Sequence, residues 1–272
     1  MITTALTEPF FWRAFAACLL VALPAGPLGS LMVWRKTAYF GEALSHGALA
    51  GVVLGIACGV SANIAVTAFI CLLACFLYAA MKSKRAETDL LLLIIGQTAL
   101  CAGWILLSVF DTVRSDLTAY LFGDVLSVTN GDLIFMAVAA AVCGVLLKRN
   151  WRAQVFTAVS PEMAQSEGVD TTRQTFVLMM TTALFVSAAF KTTGVLLAAA
   201  LLVIPPCCAF FFAKTPEKNA LFASLTGCVC VVAGLFASLT ADVPAAPATE
   251  ICCAIAFFSA FCLKKCNNLS DK

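Results

Sequence analysis

A carboxylate and the only histidine of the chain, Glu42 and His46, lie four residues apart in an otherwise apolar stretch. In a helix, this spacing places both side chains on one face, near enough to share a cation or a proton. Polar groups are costly to hold in lipid, so a pair of this kind inside the membrane predicts a functional site. The alternative interpretation is a packing helix in which the two side chains satisfy each other.

Small residues recur at every fourth position of the same stretch. A stripe of this kind lets a second helix backbone approach closely, as it does between membrane helices. The predicted packing face consists of Ala43, Gly47, Gly51, Gly55 and Gly59.

The composition is that of a polytopic membrane protein. Of the 272 residues, 62% are hydrophobic and 12% are charged, against roughly 25% charged residues in soluble domains. Apolar runs recur along the whole chain, whereas lysine and arginine cluster in the short segments between them. The expected surroundings are therefore membrane lipid. No basic surface suited to nucleic acid is visible in the sequence, and nucleic acid is not an expected partner.

Eight or nine apolar segments are long enough to cross about 30 Å of hydrocarbon as helices. The predicted spans of this all-α chain are 10–34, 41–60, 62–81, 88–110, 132–147, 174–190, 194–213, 219–240 and 248–263. Residues 111–131 are too polar to span and predict a short amphipathic segment. Pro205 and Pro206 interrupt the hydrogen-bond ladder of the seventh span, which is expected to be kinked or discontinuous.

The basic segments predict the orientation of the chain. Lysine and arginine mark cytoplasmic loops, and nine spans place five basic segments on one side: 35–36, 82–85, 148–152, 214–218 and 264–265. The N-terminus is then outside and the C-terminus is cytoplasmic. We expect residues 1–272 to form a single transmembrane domain.

A polar segment between the fifth and sixth spans carries the signals of a short helix. Ser160 can cap it, Pro161 suits its first position, and Gly168 suits the position after its end. These signals predict a helix over 161–167, facing the cytoplasm, where it could dock a soluble partner. The alternative is a surface helix with no special role.

Two further charged residues, Lys191 and Glu250, lie near the predicted outer ends of spans. Lys191 is expected to extend to the outer interface. Glu250, at the start of the ninth span, either complements the helix dipole or attracts cations at an external mouth.

No motif indicates that the chain is an enzyme. A phosphate-binding loop of the G-x-x-x-x-G-K-[ST] type is missing, so transport driven by ATP would need a separate ATP-binding protein. No serine, histidine and aspartate arrangement for hydrolysis is evident, and catalytic residues are not predicted.

Five ordered motifs resemble the permease subunits of bacterial ABC importers for divalent transition metals, and within them the zinc-uptake branch. The resemblance runs from about residue 10 to 265. The motifs are VWRKTAYFGEALSHGALAGV (33–52), DLTAYLFGDVLSVT (116–129), SPEMAQSEGV (160–169), GVLLAAALLVIPPCCA (194–209) and ADVPAAP (241–247).

The resemblance implies a multi-pass protein of the bacterial inner membrane that moves zinc by alternating access. It implies a homodimer with ATP-binding subunits on the cytoplasmic side and a periplasmic metal-binding protein on the other. The metal-pathway carboxylate and histidine of the family fall on Glu42 and His46, although relatives usually carry aspartate at the first position. The resemblance implies zinc as the transported ion, and no cofactor is expected to be bound permanently.

The segment that docks on the ATPase in this family falls on residues 160–169. Its pattern is matched by Ser160, Glu162, Ala164 and Gly168.

Two copies of the chain around a two-fold axis would supply two imidazoles and two carboxylates, which zinc accepts as ligands. Two alternatives stay open at this point. The transported ion could be manganese or iron, or the chain could be an ion-coupled secondary transporter in which Glu42 and His46 relay a proton.

Overall fold

A computed structural model of the chain describes residues 9–82, 87–109 and 122–270. Within these ranges the chain is helical apart from short connections. The helices are α1 (Pro9–Trp34), α2 (Tyr39–Cys58), α3 (Ala62–Lys82), α4 (Thr88–Val109), α5 (Asn130–Val159), α6 (Pro161–Ser166), α7 (Thr171–Phe210), α8 (Pro216–Ala241) and α9 (Ala245–Ser270), with a 3-10 turn at Val125–Ser127.

The predicted all-α, multi-pass architecture is confirmed. Eight helices of the described part are long and apolar enough to cross a membrane, and Leu197–Phe210 is a further, shorter apolar helix. These nine segments correspond to the nine predicted spans. Residues 111–121 of the predicted amphipathic segment, and residues 83–85 of the basic run, lie outside the described residues.

α7 consists of two limbs that run in opposite directions. Gly194, between Thr171–Gly194 and Leu197–Phe210, has φ 67° and ψ −172°, which only glycine adopts without strain. Thr182 Oγ1 on the first limb lies 3.5 Å from Met32 Sδ, and Leu202 on the second limb packs against Gly29, one turn away on α1. A straight helix would separate Thr182 from Leu202 by about 30 Å, so the chain must reverse at Gly194.

The predicted discontinuity in the seventh span lies elsewhere than the sequence indicated. The backbone remains helical through Pro205 and Pro206 up to Phe210, and the non-helical residue is Gly194. The second limb runs parallel to α9, because Cys208 Sγ lies 3.6 Å from the carbonyl of Ala256 and the rings of Phe211 and Phe261 are 6.0 Å apart. Packing against α9 keeps this helix regular, although Pro205 and Pro206 have no amide hydrogen to donate.

α5 continues well past the apolar run 132–147 and ends only at Val159. The extension is held by buried polar contacts: Gln154 Nε2 donates to the carbonyl of Gln174 (2.9 Å) and to its side-chain oxygen (3.1 Å) on α7. A helix therefore persists beyond the predicted span because tertiary contacts replace lipid as its surroundings.

The described basic segments meet at one end of the bundle, which we call the basic end. Arg35 contacts α5 and α7, Trp151 on α5 contacts Glu217 on α8, and Lys264 lies 5.4 Å from the ring centre of Phe211. The far ends of α3, α5 and the first limb of α7 meet at the opposite end.

α2 is the central helix. Seventy-eight per cent of an 18-residue apolar stretch of this helix is buried, more than in any other candidate span of the described chain. It packs against α3, α4 and α7. A movement of any of these three helices would therefore change the surroundings of a side chain on α2.

Candidate metal pathway and coupling segment

Glu42 and His46 occupy the first two turns of α2, on the side that faces α4. The His46 Nε2 and Glu42 Oε1 atoms are 4.0 Å apart, which is a loose pairing rather than a hydrogen bond. The side chain of Glu42 is 37% exposed and that of His46 is 9% exposed. The pair thus consists of a partly exposed carboxylate and an enclosed imidazole.

Two glycines of α4 allow this helix to lie close to α2. A Cβ atom on Gly96 would come within 2.9 Å of the Cα of Ala43, and one on Gly103 within 3.0 Å of the amide nitrogen of Ala50. The imidazole of His46 faces the backbone of Gly96. The two helices run in parallel, so the pair is held at the seam between them.

The recess around the pair is lined by Tyr39, Leu92, Leu93, Gly96 and Gln97 as well as the pair itself. It is too small to contain a water molecule. An imidazole and a carboxylate suit zinc, but within the described residues no group of three or more histidine, cysteine, aspartate or glutamate side chains is gathered at one point. The described part of one chain therefore offers an incomplete ligand set.

The stripe of small residues on α2 is divided between two neighbours. Gly47 packs against Leu73 of α3, and a Cβ atom on Gly51 or Gly55 would lie 3.0 Å from Val66 Cα or 2.7 Å from Ala65 Cβ. Ala43 instead meets Gly96 of α4. Gly47, Gly51 and Gly55 are thus covered within the chain by α3.

The opposite end of the bundle contains an ion pair that the sequence did not indicate. Lys191 Nζ lies 2.6 Å from Asp132 Oδ2, where Lys191 was expected only to extend to the interface. Asp132 also accepts hydrogen bonds from Thr129 Oγ1 (2.6 Å), the Thr129 amide (3.0 Å) and Asn63 Nδ2 (3.2 Å). The signal that could have revealed Asp132 is its place three residues after Thr129, a capping-box spacing.

The glycine of the AYLFGD motif packs directly on the reversal of α7. Gly123 has φ 73°, and a Cβ atom there would overlap the carbonyl oxygen of Thr192. The amide of Asp124 donates to the carbonyl of Lys191 at 3.3 Å. The connection before α5 is therefore attached to the turn at Gly194.

Glu250 lies in the second turn of α9, because this helix begins at Ala245 rather than near 248. It is half-buried. The interpretation of Glu250 as a first-turn partner of the helix dipole is thereby weakened.

α6 has the cap structure that the sequence predicts, over Pro161–Ser166 with Glu167 as its C-terminal cap. The Ser160 hydroxyl accepts from the Met163 amide at 3.3 Å. Gly168 has φ 81°, and the amides of Gly168 and Val169 donate to Gln165 (3.0 Å) and Ala164 (2.9 Å), which is a Schellman closure.

The faces of α6 differ sharply. Ala164 is fully buried, whereas Met163 is 61% exposed and Glu162 is exposed. The preceding Val159 is 77% exposed. Two exposed apolar side chains therefore lie beside an acidic one at this corner of the basic end.

Arg35 connects α6's flanking helices to the start of α2. It lies in the turn between α1 and α2, where its guanidinium donates to Thr175 Oγ1 on α7 (3.2 Å) and to the carbonyl of Gln154 on α5 (3.3 Å). Burial lowers the pKa of Arg35 to about 10, so it stays charged at neutral pH. Glu42 is seven positions further along the chain, and α2 begins within that interval.

The sequence matches the profile of the ABC 3 transport family over residues 7–264. It is 37% identical over 239 residues to the high-affinity zinc uptake system membrane protein ZnuB of Haemophilus influenzae, covering 88% of this chain and 92% of that protein. It is 26% identical over 252 residues to the manganese transport system membrane protein MntC of Listeria monocytogenes, covering 93% and 90%.

The fold matches a solved structure over nearly its whole length. PsaBC from Streptococcus pneumoniae, determined in complex with a Fab, contains a chain with a TM-score of 0.86 and 25% sequence identity, covering 96% of this chain and 95% of that one. The similarity therefore includes α1 through α9 and is not confined to a single motif.

Proposed function

Because the chain belongs to the ABC 3 transport family, we propose that it is the membrane-spanning permease subunit of an ATP-driven importer that moves zinc across the bacterial inner membrane. The family match over residues 7–264, together with the similarity to the zinc uptake protein ZnuB, supports the assignment to a metal-importing permease. The Glu42–His46 pair would supply ligands to the passing ion, which its shared helical face and the partly exposed carboxylate of Glu42 support.

Zinc is favoured over manganese on two grounds. The chain is more similar to the zinc uptake protein, at 37% identity, than to the manganese transport protein, at 26%. Imidazole and carboxylate ligands also suit zinc well, whereas manganese prefers oxygen ligands.

A second copy of the chain would complete the ligand set. One imidazole and one carboxylate cannot fill a tetrahedral zinc site, whereas two of each can. The partly exposed carboxylate of Glu42 and the exposed outer face of α4, which includes Leu93 and Ile94, leave this side of the bundle open to such a partner. An ion in transit must also be released, so a site assembled only transiently suits transport.

The basic end would face the cytoplasm, in line with the bias of lysine and arginine toward cytoplasmic loops. ATP-binding subunits would dock on α6, and a periplasmic metal-binding protein would deliver zinc to the opposite end. The N-terminus would lie outside and the C-terminus in the cytoplasm.

Arg35 would connect the docking segment to the pair indirectly, through α5, α7 and the turn before α2. A push on α6 moves the end of α5 and the start of α7, and Arg35 is bonded to both helices while fixed to the turn that starts α2. Movement of α2 against α4 would then change the spacing at the seam that holds Glu42 and His46. Alternating access would follow from this relative motion, and the permease itself would carry out no covalent step.

The decisive experiment is uptake by the complex reconstituted in liposomes with its ATP-binding subunits. We expect ATP-dependent accumulation of labelled zinc that unlabelled zinc reduces more effectively than manganese or iron. Stronger competition by manganese or iron would overturn the choice of ion. Uptake by the permease alone, driven by a proton gradient, would overturn the ABC mechanism and favour a secondary transporter.

A further inference from the structure

A groove separate from the Glu42–His46 recess opens between α1, α5 and α8. Its volume is about 650 Å³. Most of its lining is apolar and comes from Leu20, Leu23, Pro24, Pro27, Ala140, Gly144, Leu147 and Ala220. The remaining four lining residues, Lys148, Trp151, Arg152 and Glu217, are polar or amphipathic and lie together at the basic end.

The groove exists because the facing surfaces lack side-chain volume. Gly144 and Ala140 lie one turn apart on α5, and a Cβ atom added to Gly144 would meet nothing within 4 Å. On α1, Pro24 and Pro27 form the opposing wall. The groove is therefore a feature of backbone and residue choice and needs no movement to open.

The charged end lies at the depth of a membrane surface. Lys148 is eighteen residues after the start of α5 at Asn130, a distance of about 27 Å along the helix axis, which is close to the hydrocarbon thickness of about 30 Å. Lys148 and Arg152 are one turn apart and exposed, and neither is in a salt bridge with a described carboxylate. Trp151, beside them, has the amphipathic character typical of the membrane interface.

The carboxylate of Glu217 is occupied by this tryptophan. Its Oε1 atom accepts a hydrogen bond from Trp151 Nε1 at 3.2 Å. The groove is lined by two cationic side chains, Lys148 and Arg152, and by one anionic side chain, Glu217, and this excess of positive charge favours a negatively charged ligand. The apolar walls above them, including Leu23 at 55% exposure, open sideways toward lipid.

We propose that this groove binds one anionic phospholipid, with its phosphate on Lys148 and Arg152 and an acyl chain along the walls of α1 and α5. An apolar trough that ends in basic side chains at the basic end of the bundle matches both parts of such a lipid. The groove has no contact with the α2–α4 seam, so this site is independent of the ion pathway and of the identity of the transported ion.

The test uses the quenching of Trp151 fluorescence in the whole complex in nanodiscs. The discs contain phosphatidylcholine with a small fraction of phosphatidylglycerol, and either lipid carries brominated chains. The contribution of Trp151 is the difference between the native protein and a W151F variant. We expect brominated phosphatidylglycerol to quench Trp151 several-fold more than an equal fraction of brominated phosphatidylcholine. Equal quenching by the two lipids would overturn the proposal.

Charge variants separate this site from general attraction to a negative surface. K148Q or R152Q should each reduce the preference for the anionic lipid by about fivefold. The matched control is R149Q, which removes the same charge from an exposed neighbour on α5 that does not line the groove. An equal effect of R149Q would assign the preference to the surface potential and overturn the site.

A filling variant tests the trough itself. G144L places a side chain where nothing lies within 4 Å of the new Cβ atom, so the fold should be retained, as checked by gel filtration and thermal melting. Quenching of Trp151 by the brominated anionic lipid should fall to the level of brominated phosphatidylcholine. Undiminished quenching in a folded G144L protein would contradict the binding of an acyl chain there.

Discussion

The two charged pairs at the two ends of the bundle are built on opposite plans. At the opposite end, Asp132 receives the Lys191 ammonium at 2.6 Å and three further hydrogen bonds from Thr129 and Asn63. Both of its oxygens are engaged. These bonds join α3, α5 and α7, so the pair stabilises their junction. Because a new ligand would have to displace several short bonds, the pair is also a poor site for a passing cation.

The pair near the basic end is left under-satisfied. Glu42 and His46 are 4.0 Å apart, and no described side chain is close enough to hydrogen-bond the carboxylate. A carboxylate without tight partners can accept a metal ion at small cost. The loosely paired Glu42 and His46, rather than the tightly bonded Asp132 and Lys191, are therefore the candidate for transport.

The largest expected effect comes from removing the imidazole. His46→Ala should reduce labelled zinc uptake by at least about tenfold, since even the loss of groups that only support metal ligands costs about 10–100-fold. The complex should still assemble, because the substitution shortens one side chain and leaves the backbone contacts of the α2–α4 seam in place. Co-purification of the ATP-binding subunits provides the control, and normal uptake by H46A would remove the pair from the pathway.

The next effect tests coupling between the docking segment and the loose pair. Gly168→Pro replaces a residue at φ 81° by one fixed near −65° and removes the amide that donates to Gln165. We expect ATP hydrolysis to continue while zinc uptake per ATP falls several-fold. The two rates are measured in the same liposomes. Unchanged coupling would contradict the role of α6.

Substitutions at Arg35 provide a second test of the coupling between ATP hydrolysis and zinc uptake. Arg35→Lys keeps the charge but cannot bond α5 and α7 in the same forked geometry. Zinc uptake per ATP should fall by less in Arg35→Lys than in Gly168→Pro. It should fall further in Arg35→Gln than in Arg35→Lys. Identical coupling in both Arg35 variants and the native protein would show that the guanidinium transmits nothing.

The saturated pair should respond in stability rather than in transport. Asp132→Asn leaves the Lys191 ammonium without its carboxylate and should destabilise the fold by about 1–3 kcal/mol, read as a lower melting temperature. Zinc uptake by the protein that remains folded should be close to normal. A specific loss of uptake without a change in melting temperature would reverse the roles assigned to the two ends.

The smallest effect is expected from shortening the loose carboxylate. Glu42→Asp keeps the charge and should preserve most zinc uptake, whereas Glu42→Gln should lose it. Equal uptake by the glutamine variant would show that charge at position 42 is not needed. Both variants are compared at matched expression in the same assay.

The sequence predicted those features that depend on local rules. The spans follow from runs of apolar residues, and α6 follows from Ser160, Pro161 and Gly168, whose cap roles need no information from the rest of the chain. The pairing of Glu42 with His46 on one helical face follows from their spacing alone.

The features that the sequence did not predict depend on long-range contacts. Lys191 and Asp132 are 59 positions apart, and their pairing depends on how α5 and α7 pack. The partner of Gly47 could not be known before α3 was placed against α2. The break of α7 was assigned to two prolines because their chemistry is evident, whereas Gly194 acquires its conformation from the neighbours that fold around it.

The turn at Gly194 limits how the protein can open toward the side opposite the basic end. Its second limb spans about 21 Å, less than the roughly 30 Å of hydrocarbon, so peptide groups of the turn need shelter from lipid by protein. Gly123 and Asp124 supply that shelter by lying on Thr192 and Lys191. If the protein opens toward that side, we expect the turn and the Gly123–Asp124 segment to move together, since separating them would break the hydrogen bond from the Asp124 amide to the Lys191 carbonyl inside the membrane.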